Sequence, residues 1–135
     1  MGTPSFLTAS LYVVLGGGLG SWLRFVIGRL WTAAIGPVAA AAFPWATLTV
    51  NIVGSFAMGL LAGWLARHGT ASEGWRLLLG VGMLGGFTTF SSFSLEFALL
   101  VERGTIGMAA GYAAVSLIAG FAGLFAGLAV MRSVA

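Results

Sequence analysis

Cysteine, lysine and aspartate are absent, and one histidine and three glutamates stand among 135 residues. Without cysteine there is no thiol nucleophile, no disulfide and no thiolate-ligated metal. One histidine and three glutamates cannot be assembled into a nucleophile–base pair or a metal cluster, which argues against enzyme chemistry. Charge is scarce as well. Charged residues make up 7% of the chain and hydrophobic residues 59%, where a soluble domain carries roughly a quarter charged residues. A chain so composed cannot cover itself with a wetted surface and reads as an all-α integral membrane protein. Its six basic residues are all arginine, giving a net charge of +3. They are scattered, and a nucleic-acid partner requires a clustered basic patch.

Four apolar segments are expected to span the membrane, over about 6–31, 44–66, 75–101 and 105–131, as a single domain covering 1–135. The first is too long for the apolar region of a signal peptide and has no basic flank before it, so it is expected to be a span. It carries Gly16-Gly17-Gly18-Leu19-Gly20, where another helix can approach closely, with Arg24 about two turns before its expected end and Arg29 near the interface. Trp22 and Trp31 suit an interfacial aromatic belt. Residues 35–43 are expected to form a short uncharged loop with Pro37, and Pro44 suits the first turn of the second helix. That helix holds Thr47, Thr49, Asn51, Gly54-Ser55 and a Gly59-xxx-Gly63 pair. Asn51 lies well inside the span, so its amide needs a partner within the protein. The most polar connection, Arg67 to Arg76, contains His68, Ser72 and Glu73, and a lone histidine there suits a solvated loop. Glu102-Arg103-Gly104 reads as a tight turn. The fourth span places Tyr112 and Ser116 on one face, four residues apart, among several glycines. Every connection is short, which leaves no room for an extramembrane domain.

Arg67, Arg76 and Arg132 fall on one side of such a topology, with Arg103 and the end bearing Arg29 on the other. This is a weak bias by the positive-inside rule. A chain with so little asymmetry can insert either way, which would permit an antiparallel homodimer.

One stretch breaks the apolar pattern: Gly85-Gly86-Phe87-Thr88-Thr89-Phe90-Ser91-Ser92-Phe93, with Glu96 three positions on. Lipid penalises unsatisfied polar groups, so the stretch is expected to face protein or water. The paired glycines invite the third helix to unwind near its middle, where freed carbonyls can hold a cation. On the resumed helix Phe90, Phe93 and Phe97 share a stripe, with Thr89, Ser92 and Glu96 beside it. Helix N–H groups, hydroxyls and aromatic ring edges all present positive character to a small anion. None is a fixed cation that would hold such an ion too tightly to release it.

The motif Gly-Gly-Phe-Thr-Thr-Phe-Ser-Ser-Phe resembles the signature of the CrcB/Fluc family of bacterial fluoride channels. Gly17-xx-Gly20-xxx-Arg24 and Thr47-Leu48-xx-Asn51-xx-Gly54-Ser55 extend the resemblance over essentially the whole chain. Ser92 departs from it, standing where Thr is usual, and Phe87 occupies a variable position. The resemblance implies an antiparallel, dual-topology homodimer in the bacterial inner membrane, with two narrow pores that pass fluoride out of the cell. It implies Phe90 and Phe93 as pore phenylalanines and Asn51 as an amide donor to the ion. Ser91, Ser92 and Ser94 would line the route, with Tyr112 and Ser116 opposite and Glu96 as a vestibule carboxylate. Main-chain carbonyls at Gly85 and Thr88 would hold one central structural Na⁺. Arg24 would be structural or vestibule-lining. Read alone, Asn51 is a helix-bridging amide, and Arg24 a cation paired with a carboxylate. Two other classes fit four short spans: a proton-coupled small multidrug-resistance transporter, and a non-transporting scaffold. The former uses an acid in its first span, where this chain has only arginines, leaving Glu96 as a substitute.

Overall fold

The computed structural model describes residues 4–69 and 73–134, so Ser72 of the Arg67–Arg76 connection lies outside the described residues. Helix α1 spans Phe6–Ala42 and α2 spans Trp45–His68. Helix α3 covers 73–87, with wide, π-helical winding over Arg76–Leu84 and an α-helical turn at Gly85–Phe87. Helix α4 is Phe90–Glu102 and α5 is Ile106–Ser133. Together α3 and α4 make one apolar stretch, Glu73–Glu102. With α1, α2 and α5 it gives four segments long and apolar enough to cross a membrane.

The expected loop at 35–43 is mostly helix, and α1 runs on past Trp31 to Ala42. Gly36 takes φ 81° and ψ 158°, a kink only glycine adopts without strain. Pro37 then starts a new short helical run, its fixed φ and missing N–H being harmless at a helix start. Four alanines, Ala39 to Ala42, carry that run to its end, because alanine has the highest helix propensity. Arg24 consequently sits near the middle of α1, not two turns from its end.

Two pairs of parallel helices build the fold. Along α1 and α3, Gly16 abuts the Leu78 carbonyl and Met83, while Gly20 abuts the Met83 carbonyl and the Phe87 backbone. Along α2 and α5, Gly59 meets Leu124, Gly63 meets Met131, and Gly127 meets the Phe56 carbonyl. A side chain at these crossings would strike backbone, so glycine sets the helix spacing. The core is small: Val50, Ala109 and Tyr112 are fully buried, whereas Phe6, Ile118 and Phe125 are exposed. Such a surface suits lipid as its solvent.

Candidate functional site

The third apolar stretch stops being helical at Thr88 and Thr89, whose backbones are extended (φ −80°, ψ 157° and φ −152°, ψ 121°). The glycine pair just before them does not unwind, contrary to expectation: Gly85 is helical (φ −63°, ψ −36°). A Cβ on Gly86 would meet the main chain of Gly17 on α1, which explains its glycine by close approach.

Two extended residues at membrane depth must pair their backbone groups with something other than water. Asn51 supplies the partner. Its Nδ2 donates to the Thr89 carbonyl at 3.1 Å, and its Oδ1 accepts from the Thr89 N–H at 2.8 Å. One side-chain amide thus stands in for a neighbouring strand. The Thr89 hydroxyl caps α4, accepting from the Ser92 N–H at 3.1 Å, and lies 3.2 Å from both the Ser91 and Ser92 hydroxyls. Thr88 Oγ1 donates back to the Leu84 carbonyl at 2.9 Å.

One turn along α4, Glu96 is held on both sides. Thr47 Oγ1 donates to its Oε1 at 2.7 Å, and the Tyr112 hydroxyl donates to its Oε2 at 2.8 Å. Each carboxylate oxygen is matched by a hydroxyl, with no cation bound to it among the described residues. The Tyr112 ring packs on Phe93 at 5.1 Å and meets Phe43 edge-on at 5.5 Å. Phe90 and Phe93 lie 5.6 Å apart, Phe93 partly buried and Phe90 77% exposed.

The structure therefore gathers Asn51, Thr89, Ser91 and Ser92 into one cluster, and Phe93, Glu96 and Tyr112 into a second beside it. Three expected members lie apart. Ser94 is exposed and donates back to the Phe90 carbonyl at 2.9 Å. Ser116 shares the Tyr112 face but does not reach Glu96; its buried Oγ has no hydrogen-bond partner among the described residues. Arg24, half-buried on α1, makes no ion pair or hydrogen bond among the described residues. It sits one turn beyond Gly20, on the face turned to α3. Thr47 was given no role by sequence reasoning although a signal existed. Thr47, Asn51 and Ser55 recur every four residues and form one polar stripe down α2.

A groove of about 290 Å³ opens at the break, lined by Asn51, Gly54, Ser55, Thr88, Thr89 and Phe90 among others. A second, of about 230 Å³, lies between the 40–44 segment and α4 and is lined in part by Glu96 and Arg103. The Arg103 guanidinium donates to the Ala41 carbonyl at 3.0 Å, tying the end of α4 to that segment.

For a hard cation, the fit of the break rests on main chain. The Thr89 N–H is taken by Asn51, not returned to the Gly85 carbonyl four residues before it. The described residues hold no group of His, Asp or Glu suited to a metal. The donor set here is carbonyl oxygen, which suits a weakly held alkali ion better than a transition metal.

Comparison with known proteins places these features. The family profile described as CrcB-like protein, Camphor Resistance (CrcB), matches residues 11–128. A protein of Novosphingobium aromaticivorans named fluoride-specific ion channel FluC is 63% identical over 96% of this chain and 100% of its own length. Proteins of the same name from Caulobacter vibrioides and Rhodospirillum centenum are 51% and 54% identical, over 92% and 91% of this chain and 95% and 94% of theirs. Relatives so named are channels, not enzymes. With the family profile covering nearly all of its length, and four helices able to cross a bilayer, the chain belongs to the CrcB family of multi-pass membrane proteins.

Proposed function

We propose that the chain is a fluoride-selective channel through which the ion passes passively, driven by its electrochemical gradient. The observation that carries this reading is the 63% identity, over 96% of the chain, with a relative named fluoride-specific ion channel. The chemistry of the break supports it. Ring edges of Phe90 and Phe93, the second N–H of the Asn51 amide and the hydroxyls of Ser91 and Ser92 are donors without net charge. Such donors replace part of the hydration shell of a small anion and still let it leave. Glu96, with Thr47 and Tyr112, forms a vestibule wall in this reading, Ser94 and Ser116 line flanking parts of the route, and Arg24 lines a vestibule or holds α1.

The functional unit is an antiparallel homodimer, with the single four-helix domain inserted in both directions in the bacterial inner membrane. Two pores run along it. Main-chain carbonyls at Gly85 and Thr88 of both copies would hold a structural Na⁺, whose positive charge would tie the two breaks together. In a negative-inside membrane the gradient expels fluoride, which enters as neutral acid and ionises inside.

Fluoride efflux from liposomes, followed with a fluoride electrode, tests the reading. Phe90→Ile and Phe93→Ile should each slow efflux sharply while the dimer elutes unchanged. Unaltered efflux in both variants would sink the pore assignment.

A further inference from the structure

Most hydroxyls on these helices are spoken for. Ser10, Thr32, Thr88 and Ser94 each donate to the carbonyl four residues earlier, at 2.8–3.0 Å. That is the usual resort of a hydroxyl in a membrane helix. Thr47 and Thr89 serve Glu96 and the α4 cap. Among the described serines and threonines, two make no side-chain hydrogen bond at all. Ser116 Oγ is buried and unpartnered among the described residues, and Ser55 makes no hydrogen bond among them.

These two face a common space. Ser55 and Ser116 line one groove of about 210 Å³ between α2 and α5, together with Leu117, Gly120, Phe121 and Leu124. Ser55 and Leu124 also line the larger groove at the break, so the two spaces meet at Ser55. Gly120 leaves that meeting point open, since a Cβ there would stand 3.7 Å from Ser55 Oγ. Along the α2 stripe, Thr47 is bonded to Glu96 and Asn51 to Thr89, and only the third member, Ser55, is uncommitted.

We propose that Ser55 and Ser116 form a hydroxyl-donor site for a small, hard anion, and that this site extends the route at the Thr88–Thr89 break along α2 and α5. The proposal rests on the fluoride-channel reading and adds Ser55 to the groups that touch the ion. Two O–H donors on opposite helices can turn toward one ion, and neither gives up an intrahelical bond to do so. The remaining walls, Leu117, Gly120, Phe121 and Leu124, are apolar and bring no competing side-chain donor or acceptor.

The test is fluoride efflux from liposomes bearing wild type, Ser55→Ala, Ser55→Thr or Ser116→Ala, with the dimer's elution and melting checked for each. Ser55→Ala should slow efflux about tenfold, the change expected from one lost hydrogen bond at the rate-limiting position. It should also raise the fluoride concentration at half-maximal flux, and Ser55→Thr should restore both. A packing role would shift melting and leave half-saturation alone. Wild-type efflux and half-saturation in Ser55→Ala, or failure of Ser55→Thr to rescue, would overturn the site. Absence of efflux in the wild type would overturn the channel reading itself, a separate result. If Ser55→Ala does not fold, Gly120→Ala takes its place, putting a methyl group beside Ser55 Oγ. Slowed efflux then supports the site and wild-type efflux rejects it.

Discussion

Asn51 satisfies both polar groups of a single extended residue, Thr89, from a helix 38 positions away in sequence. Replacing it by Ala strands an N–H and a C=O on a buried residue. Each stranded group costs about 1–3 kcal/mol, so Asn51→Ala should lower the melting temperature in detergent far more than a surface change. Asn51→Asp keeps the acceptor toward the Thr89 N–H and loses the donor, and should fall between the two. Equal melting of Asn51→Ala and wild type would show that the break supports itself. Glu96 presents the complementary case, a carboxylate held by two hydroxyls. Thr47→Val removes one of them at nearly constant volume. It should destabilise the fold by about 1–2 kcal/mol, read as a shift in chemical denaturation.

Helix spacing is fixed by where glycines lie, and not by how many there are. On α5, a Cβ at Gly127 would strike the Phe56 carbonyl, whereas Gly107 has open space around it. Gly127→Ala should therefore destabilise by about 1–3 kcal/mol through overpacking. Gly107→Ala should stabilise by up to about 1 kcal/mol through helix propensity. A thermal melt of the pair checks both signs, and a common sign would contradict this account of the α2–α5 contact.

Legibility divides along the same physical lines. That 85–93 interrupts the apolar third segment was legible, because hydroxyls and a carboxylate in lipid need a reason. Where the helix gives way was not. A glycine pair permits unwinding and also permits close approach, and only the Gly17 backbone against Gly86 decides between them. The kink at Gly36 was half-legible: Pro37 marked an interruption, while the alanines after it argued for the helix that follows. Asn51 clearly needed a partner, but its partner is a main-chain group, which sequence cannot advertise. The pairing of Thr47 with Glu96 depends on how α2 meets α4, and periodicity gives only the stripe.

For the molecule as a whole, the dimer and its Na⁺ are proposals that Gly85 can test. Within one copy, a Cβ at Gly85 has its nearest contact at 3.7 Å, an ordinary distance. A single copy therefore has room for a larger residue, and damage from Gly85→Val should come from the second copy or the ion. The expected outcome is a variant that stays helical by circular dichroism but elutes as monomer. Replacing Na⁺ by a bulky organic cation should weaken wild-type association in the same assay. A Gly85→Val dimer as durable as wild type, insensitive to Na⁺, would remove the central ion from the account.

The bond between Asn51 and Thr89 also sets an order in time. The chain emerges N-terminus first, so α2 reaches the bilayer before the residues of the break are made. A segment carrying Thr88, Thr89, Ser91, Ser92 and Glu96 inserts poorly by itself, since each polar group must leave water unescorted. Here the escort is already waiting: Thr47 for the carboxylate and Asn51 for the opened backbone. A chain whose second helix is delayed or supplied separately should stall with its third segment outside the hydrocarbon, a biogenesis fault that no measurement on the finished protein would reveal.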